Sequence, residues 1–200
     1  MNIDFKYVPK HYASRSHEKM KEVLMDPNGV GPVIHYYMIR GNKKNITVWE
    51  PGTIGGEYIK AYGHYHVGKL DETYWIIFGQ GVALMQKLAV DGNGKMIPDV
   101  VEEFKALLIK QGDEIYMPEG YGHLVVNTGD TYLATADDSP VDFEEKDPVS
   151  LPGHADYELV KQMHGFAYYV IEKDNQPVLI KNKLYKEIRK EDFGGLTVIS

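Results

Sequence analysis

Cysteine is absent from the 200 residues. That excludes disulfides, thiolate nucleophiles and cysteine-ligated zinc together. Long apolar runs are also missing. No stretch approaches the ~18 consecutive apolar residues of a bilayer-spanning helix, and the opening Met1-Asn2-Ile3-Asp4-Phe5-Lys6 lacks the apolar centre of a secretory signal. Excess positive charge is missing too. The 22 Lys and Arg residues are outnumbered by 29 Asp and Glu, a formal net charge of -7. Neither nucleic acid nor an anionic membrane is therefore expected as a partner, although a small anionic substrate remains compatible with a locally basic cleft. Repeats and Gly-Ser linkers do not occur. A reducing cytoplasm is the expected compartment.

What is present reads as a β-rich globule. Hydrophobic residues at 43% and charged residues at 26% are ordinary for a folded domain. Fifteen tyrosines against six phenylalanines suit either a polar, tyrosine-lined cavity or tyrosines on exposed edge strands. Near the start, Met20, Val23 and Leu24 fall at helical spacing, Ser16 is placed to cap, and Asp26-Pro27-Asn28-Gly29 stops the element. After it come short β-like runs at 32–40, 45–50, 56–62, 73–78, 82–88, 104–109, 113–117, 123–127 and 131–136, with two more at 166–172 and 178–181. Breakers such as Gly41-Asn42, Gly79-Gln80-Gly81 and Thr128-Gly129-Asp130 separate them. Many short strands closely spaced predict a sandwich or barrel. The acidic segment 137–152, with Asp137, Asp138, Asp142, Glu144, Glu145 and Asp147 against Lys146 alone, reads as a solvated loop. The charge-alternating tail 181–191 reads as a short exposed helix.

The sharpest chemical signal is Gly63-His64-Tyr65-His66 followed by Glu72. In a strand, residues i and i+2 share a face, so His64 and His66 point together. The five residues between His66 and Glu72 are enough to reverse the chain and return a carboxylate to the same place. Tyr74 shares the face of Glu72 if a strand begins there. A further candidate ligand is His123, which follows a Pro118-Glu119-Gly120-Tyr121-Gly122 turn just before another strand. Three imidazoles and a carboxylate leave open positions on a six-coordinate ion. Such a set suits iron(II), manganese, nickel or zinc without choosing among them, and open positions are the mark of a catalytic centre. His11, His17, His35 and His164 have no partner at ligand spacing and read as structural or exposed.

The order Gly63-His64-Tyr65-His66, Glu72, Gly79, then Gly112-Asp113, Pro118, His123 and Asn127 resembles the paired motifs of cupins. The resemblance implies an all-β, cupin jelly-roll barrel with a short N-terminal helix and a C-terminal extension. Residues 1–200 would form a single cupin domain with a barrel core of about 31–182. A closer likeness, carried by Pro51-Gly52-Thr53-Ile54-Gly55-Gly56-Glu57, the His64 segment, Tyr116-Met117-Pro118, Val126-Asn127-Thr128-Gly129-Asp130 and Gly153-His154-Ala155-Asp156-Tyr157, is to the cupin-type glucose-6-phosphate isomerases of archaea and some bacteria.

That likeness implies His64, His66, Glu72 and His123 as metal ligands, with one divalent ion per subunit, iron(II) first among the candidates. It implies Thr47, Gly63 and Tyr157 as substrate contacts, and Glu72, Tyr74 and His154 as catalytic groups of an isomerase interconverting glucose 6-phosphate and fructose 6-phosphate in glycolysis and gluconeogenesis. The expected partners are a sugar phosphate and a second copy of the chain in a homodimer. Departures from the family pattern are Ala61 in place of a phosphate-contacting hydroxyl, His35 and Ser139 near expected tyrosines, and a loop before Glu72 one residue shorter. Lys60 or Lys69 would be substitute cations, unless both are merely exposed. A cupin iron(II) oxygenase, an isomerase of another sugar and a non-enzymatic sugar-binding cupin are the competing readings.

Overall fold

The computed structural model describes residues 12–40, 45–140 and 153–199. The fold is all-β, as expected, and among the described residues its hydrogen-bonded strands form four sheets. The largest has six strands in the order Tyr12–Ser16, Ile34–Ile39, Asn45–Trp49, Leu133–Asp137, Glu72–Phe78 and Glu114–Met117, every neighbouring pair antiparallel. A second sheet is built on Gly122–Asn127, Gln80–Val90 and Met96–Lys110. A third pairs Tyr65–His66 with Ala155–Asp156. The fourth runs Thr197–Ile199, Gln176–Lys181, Tyr168–Lys173, Glu57–Tyr58 and Thr53–Ile54.

Alternation explains how the six-stranded sheet makes both a core and a site. Asn45, Thr47 and Trp49 are buried on one strand, Leu133, Thr135 and Asp137 on the next, and Glu72, Tyr74 and Ile76 on the third. The register sets Trp49 opposite Leu133, and Asp137 opposite both Asn45 and Tyr74. The same inner face is thus apolar at one end and polar at the other. Trp49, Leu133 and Ile76 pack into the core there, while Asn45, Asp137, Tyr74 and Glu72 collect at the opposite end. Polar groups this buried require partners, and that end is where the site lies.

The strand Gly122–Asn127 is buried along its whole length. Its outer neighbour is the irregular segment 59–64, which hydrogen-bonds to it through Asn127 N to Ile59 O (2.8 Å), Ala61 N to Val125 O (2.8 Å) and a mutual pair between His64 and His123 (3.3 and 3.0 Å). Gly63 makes the approach feasible. Its φ is +82°, and a Cβ there would stand 3.0 Å from Phe166 and 3.2 Å from Leu124.

The expected N-terminal helix is present as one turn, His17–Met20, with Ser16 accepting from Lys19 N at 3.3 Å. Met20, Val23 and Leu24 are buried, but the helix ends at Met20, short of the expected stop, and Val23 and Leu24 are buried from the segment after it. Glu158–Gln162 forms a second short helix that no sequence signal announced. Two expectations are corrected. The tail is not helical: Glu187–Ile188 and Glu191–Asp192 add as parallel strands to Met96–Lys110, because an open sheet edge satisfies their backbone better than an isolated charged turn. Asp137 is not part of a solvated loop but ends a central strand, 2% exposed. The remainder of the acidic segment, 141–152, lies outside the described residues, as does His11.

Candidate metal centre

His64, His66, Glu72 and His123 converge, with one potential ligand atom from each lying within 4.8 Å of all the others. Each arrives by a different local device. His64 and His123 are held by their mutual backbone pairing. His66 sits on the short strand paired with Ala155–Asp156, and between the two histidines Tyr65 turns the other way into the core, 2% exposed. Glu72 is the first inward residue of Glu72–Phe78, opposite Met117.

The electrostatics fit a cation. His66 Nδ1 donates to Gly153 O at 2.8 Å, and its Nε2 faces Glu72 Oε1, 3.1 Å away. A ring nitrogen and a carboxylate oxygen this close need a proton or a metal ion between them. Glu72 Oε2 is 3.3 Å from His123 Nε2, yet both it and His66 Nε2 are buried with no hydrogen-bond partner. Such orphaned atoms are rare in proteins and call for a missing group. Burial, then His123 and His66, hold the His64 imidazole well below its usual range, so it is neutral and ready to ligate. Burial would raise the Glu72 carboxyl, but His123 and His66 outweigh it and keep the group ionised. Donor atoms of a zinc-like ion sit ~2.0–2.2 Å from it, so a slight inward movement of the side chains closes this set around one ion.

Three of the four, His64, His66 and Glu72, line a cavity of about 270 Å³, whereas His123 is 2% exposed and does not. Tyr74 and His154 line it, Tyr74 Oη 3.3 Å from His123 Nε2. Burial first, then Glu72 and Asp137, push the Tyr74 phenol up. His154 Nδ1 donates to Ala155 O at 3.2 Å, which leaves Nε2 as an acceptor. Tyr157 also lines the cavity, its ring centre 5.7 Å from that of His64.

Thr47 and Gly63 are placed differently. Thr47 is 5% exposed and accepts from Arg40 Nη1 at 3.3 Å, so it reaches the cavity through that arginine. Gly63 packs its Cα side against Phe166 and Leu124. Neither substitute lysine serves the site. Lys60 is 3% exposed, not a surface residue, and pairs with Glu57 at 2.5 Å. Lys69 is exposed, 3.5 Å from Glu119.

Sequence reasoning missed Arg15 and Arg40, both in the cavity wall. Arg40 Nη1 is 3.2 Å from Asp137 Oδ2. The only sequence signal was an arginine at the end of a strand whose partner lies 97 residues away.

A family model described as glucose-6-phosphate isomerase (GPI) matches residues 38–187. This chain belongs to the glucose-6-phosphate isomerase family. The family member from Thermococcus onnurineus is 32% identical over 164 residues, 78% of this chain and 74% of its own. The one from Thermococcus kodakarensis is 32% identical over 143 residues, 70% of this chain and 63% of its own. Several such relatives are thus spanned for less than two thirds of their length. Among solved structures, a predicted oxalate decarboxylase from Thermotoga maritima overlaps 63% of this chain and 88% of its own, at 22% identity and a TM-score of 0.36. A recombinant oxalate oxidase overlaps 52% of this chain and 40% of its own, at 17% identity and a TM-score of 0.32.

Proposed function

We propose that this protein is a metal-dependent aldose–ketose isomerase that interconverts glucose 6-phosphate and fructose 6-phosphate. The observation that carries the reading is the His64–His66–Glu72–His123 quartet beside a cavity lined by charged and hydroxyl side chains, in a chain of this family. Its relatives' name gives the reaction.

Isomerisation requires a base to take the C2 proton and return it at C1, while a hydroxyl proton passes between O2 and O1. Glu72 is the candidate base, ionised and with Oε2 not engaged by any donor. Tyr74 is placed to donate to, and His154 Nε2 to accept from, the sugar hydroxyls. A divalent ion bound in the quartet supplies polarisation of the sugar oxygens, with iron(II), manganese, nickel and zinc all compatible with N and O donors. Thr47, Gly63 and Tyr157 complete the substrate contacts in this reading.

The wider reading is a single cupin domain over 1–200, working in cytoplasmic glycolysis and gluconeogenesis as a homodimer. No helix among the described residues is long and apolar enough to cross a membrane. The six-stranded sheet ends in Tyr12–Ser16 and Glu114–Met117, and Trp75, Ile77 and Tyr116 are exposed at 39, 45 and 57%, a face suited to a second copy.

The test is conversion of fructose 6-phosphate by protein loaded in turn with each of the four metals, with and without chelator. Activity that chelator abolishes and metal restores is expected. Inactivity in every metal-replete sample overturns the reading. With glucose 6-phosphate deuterated at C2, the wild-type product separates proton transfer from a hydride shift, because the proton route loses label to water, and Glu72→Gln should abolish the proton route alone.

A further inference from the structure

Arg15, like Arg40, stands in the cavity wall without being accounted for by the family resemblance or the quartet. It lies on the edge strand Tyr12–Ser16, before the family-matched interval 38–187. Its backbone pairs with Tyr36, and the register shifts immediately after it, between Arg15 and Ser16. Such an irregularity re-aims a side chain and recurs beside active sites.

The guanidinium is held by phenols. Its Nε donates to Tyr36 Oη at 3.1 Å, and its Cζ stands 5.9 Å from the Tyr36 and Tyr62 ring centres and 5.5 Å from that of Tyr157. Aromatic faces fix a cation without neutralising it. Among the described residues no carboxylate pairs with Arg15, whereas Arg40, the other arginine of the wall, faces Asp137. Tyr157 also spans the distance to the quartet, touching Arg15 on one side and His64 on the other.

We propose that Arg15 is the anion anchor of this site, binding the phosphate of a sugar phosphate whose carbonyl end lies at the His64–His66–Glu72–His123 quartet. The assignment rests on the isomerase reading for the identity of the sugar. A guanidinium has five N–H donors in a fork that matches phosphate oxygens, and the phenols engage only part of them. Lys60 and Lys69 are engaged elsewhere.

The experiment compares metal-loaded wild type, Arg15→Gln and Arg15→Lys, using calorimetric titration with inorganic phosphate and steady-state kinetics with fructose 6-phosphate. Loss of a charge-assisted bond is expected to weaken phosphate binding by ~10–100-fold in R15Q, to raise KM in proportion, and to leave kcat within about twofold. R15K should recover part of the affinity. Phosphate binding to R15Q as tight as to wild type, or none to wild type, overturns the assignment. If wild type binds phosphate through Arg15 but does not turn over fructose 6-phosphate, the isomerase reading fails and the anchor stands. If turnover is normal and R15Q keeps its KM, the anchor fails and the reading stands. Should R15Q not fold, titration of wild type by NMR decides, since the Arg15 Nε–H signal must shift with phosphate.

Discussion

Lys60→Met should be among the most damaging single substitutions outside the candidate metal centre. Lys60 Nζ is 2.5 Å from Glu57 Oε1, and the two side chains are 4% and 0% exposed. The same ammonium donates to Val23 O at 2.7 Å, and Glu57 Oε2 accepts from Met25 N at 2.7 Å. The pair therefore ties the turn after the N-terminal helix to the fourth sheet. Removing one partner strands the other charge in a dry interior, at a cost of about 3–5 kcal/mol. For a chain of this size that lowers Tm by roughly 6–20 °C. Neutralising both, in Glu57→Gln with Lys60→Met, leaves no charge buried and forfeits chiefly the bond to Val23 O, about 1 kcal/mol. The double variant should thus be more stable than Lys60→Met alone. Burial pushes the Glu57 carboxyl up, against the pull of Lys60. Without Lys60 the group gains a proton more readily, so the deficit of Lys60→Met should shrink as pH falls and widen as pH rises. Urea unfolding followed by the fluorescence of Trp49 and Trp75 measures all of this. Additive losses in the double variant, or a loss under ~1 kcal/mol in Lys60→Met, would refute the argument.

His35, fully buried and bonded to His17 at 2.9 Å, is held down to about 4 by burial, then by His17 and Lys60. The unfolded chain binds the extra proton between pH 6.5 and 4, so stability should fall across that window as pH drops, by about 3 kcal/mol from this group. Calorimetry of wild type against His35→Gln isolates that portion of the slope. Gly81→Ala should unfold the second sheet locally, because its Cβ would lie 2.1 Å from Val126 O. A loss of about 3 kcal/mol in chemical denaturation is expected, and a loss within error would show that the strands slide apart freely. Chelation should lower Tm and metal restore it, by about 2.7 kcal/mol of stability at a hundredfold excess over Kd. The same shift in Glu72→Gln as in wild type would argue that the ion binds elsewhere.

The ligand quartet was legible because most of it is local. An i, i+2 pair, a carboxylate six residues on and a histidine after a Pro-Gly turn are short-range statements, and each strand's alternation carries them to one face. Ser16 as a cap was legible for the same reason. Arg15, Arg40 and Asp137 were not. Arg40 and Asp137 meet only because two strands distant in sequence flank Asn45–Trp49, and charge density along 137–152 pointed the other way. Lys60 looked like a surface lysine because no local signal shows that Glu57 beside it is sealed under the helix turn. The tail 181–191 has helical charge spacing, yet an available sheet edge took it. Pairing across the sheet, which composition does not encode, decided each of these.

The reciprocal backbone bonds between His64 and His123 have a consequence for how the protein matures. Two of the four candidate ligands are set by main-chain pairing that needs no ion, so the chain can complete its fold first and take up metal afterwards. In small zinc domains, by contrast, binding free energy is folding free energy. If the quartet holds a divalent ion as proposed, metallation would here be a late and exchangeable step. With a donor set this permissive, the ion in a given molecule would be decided by what the surroundings supply when the finished site opens to them.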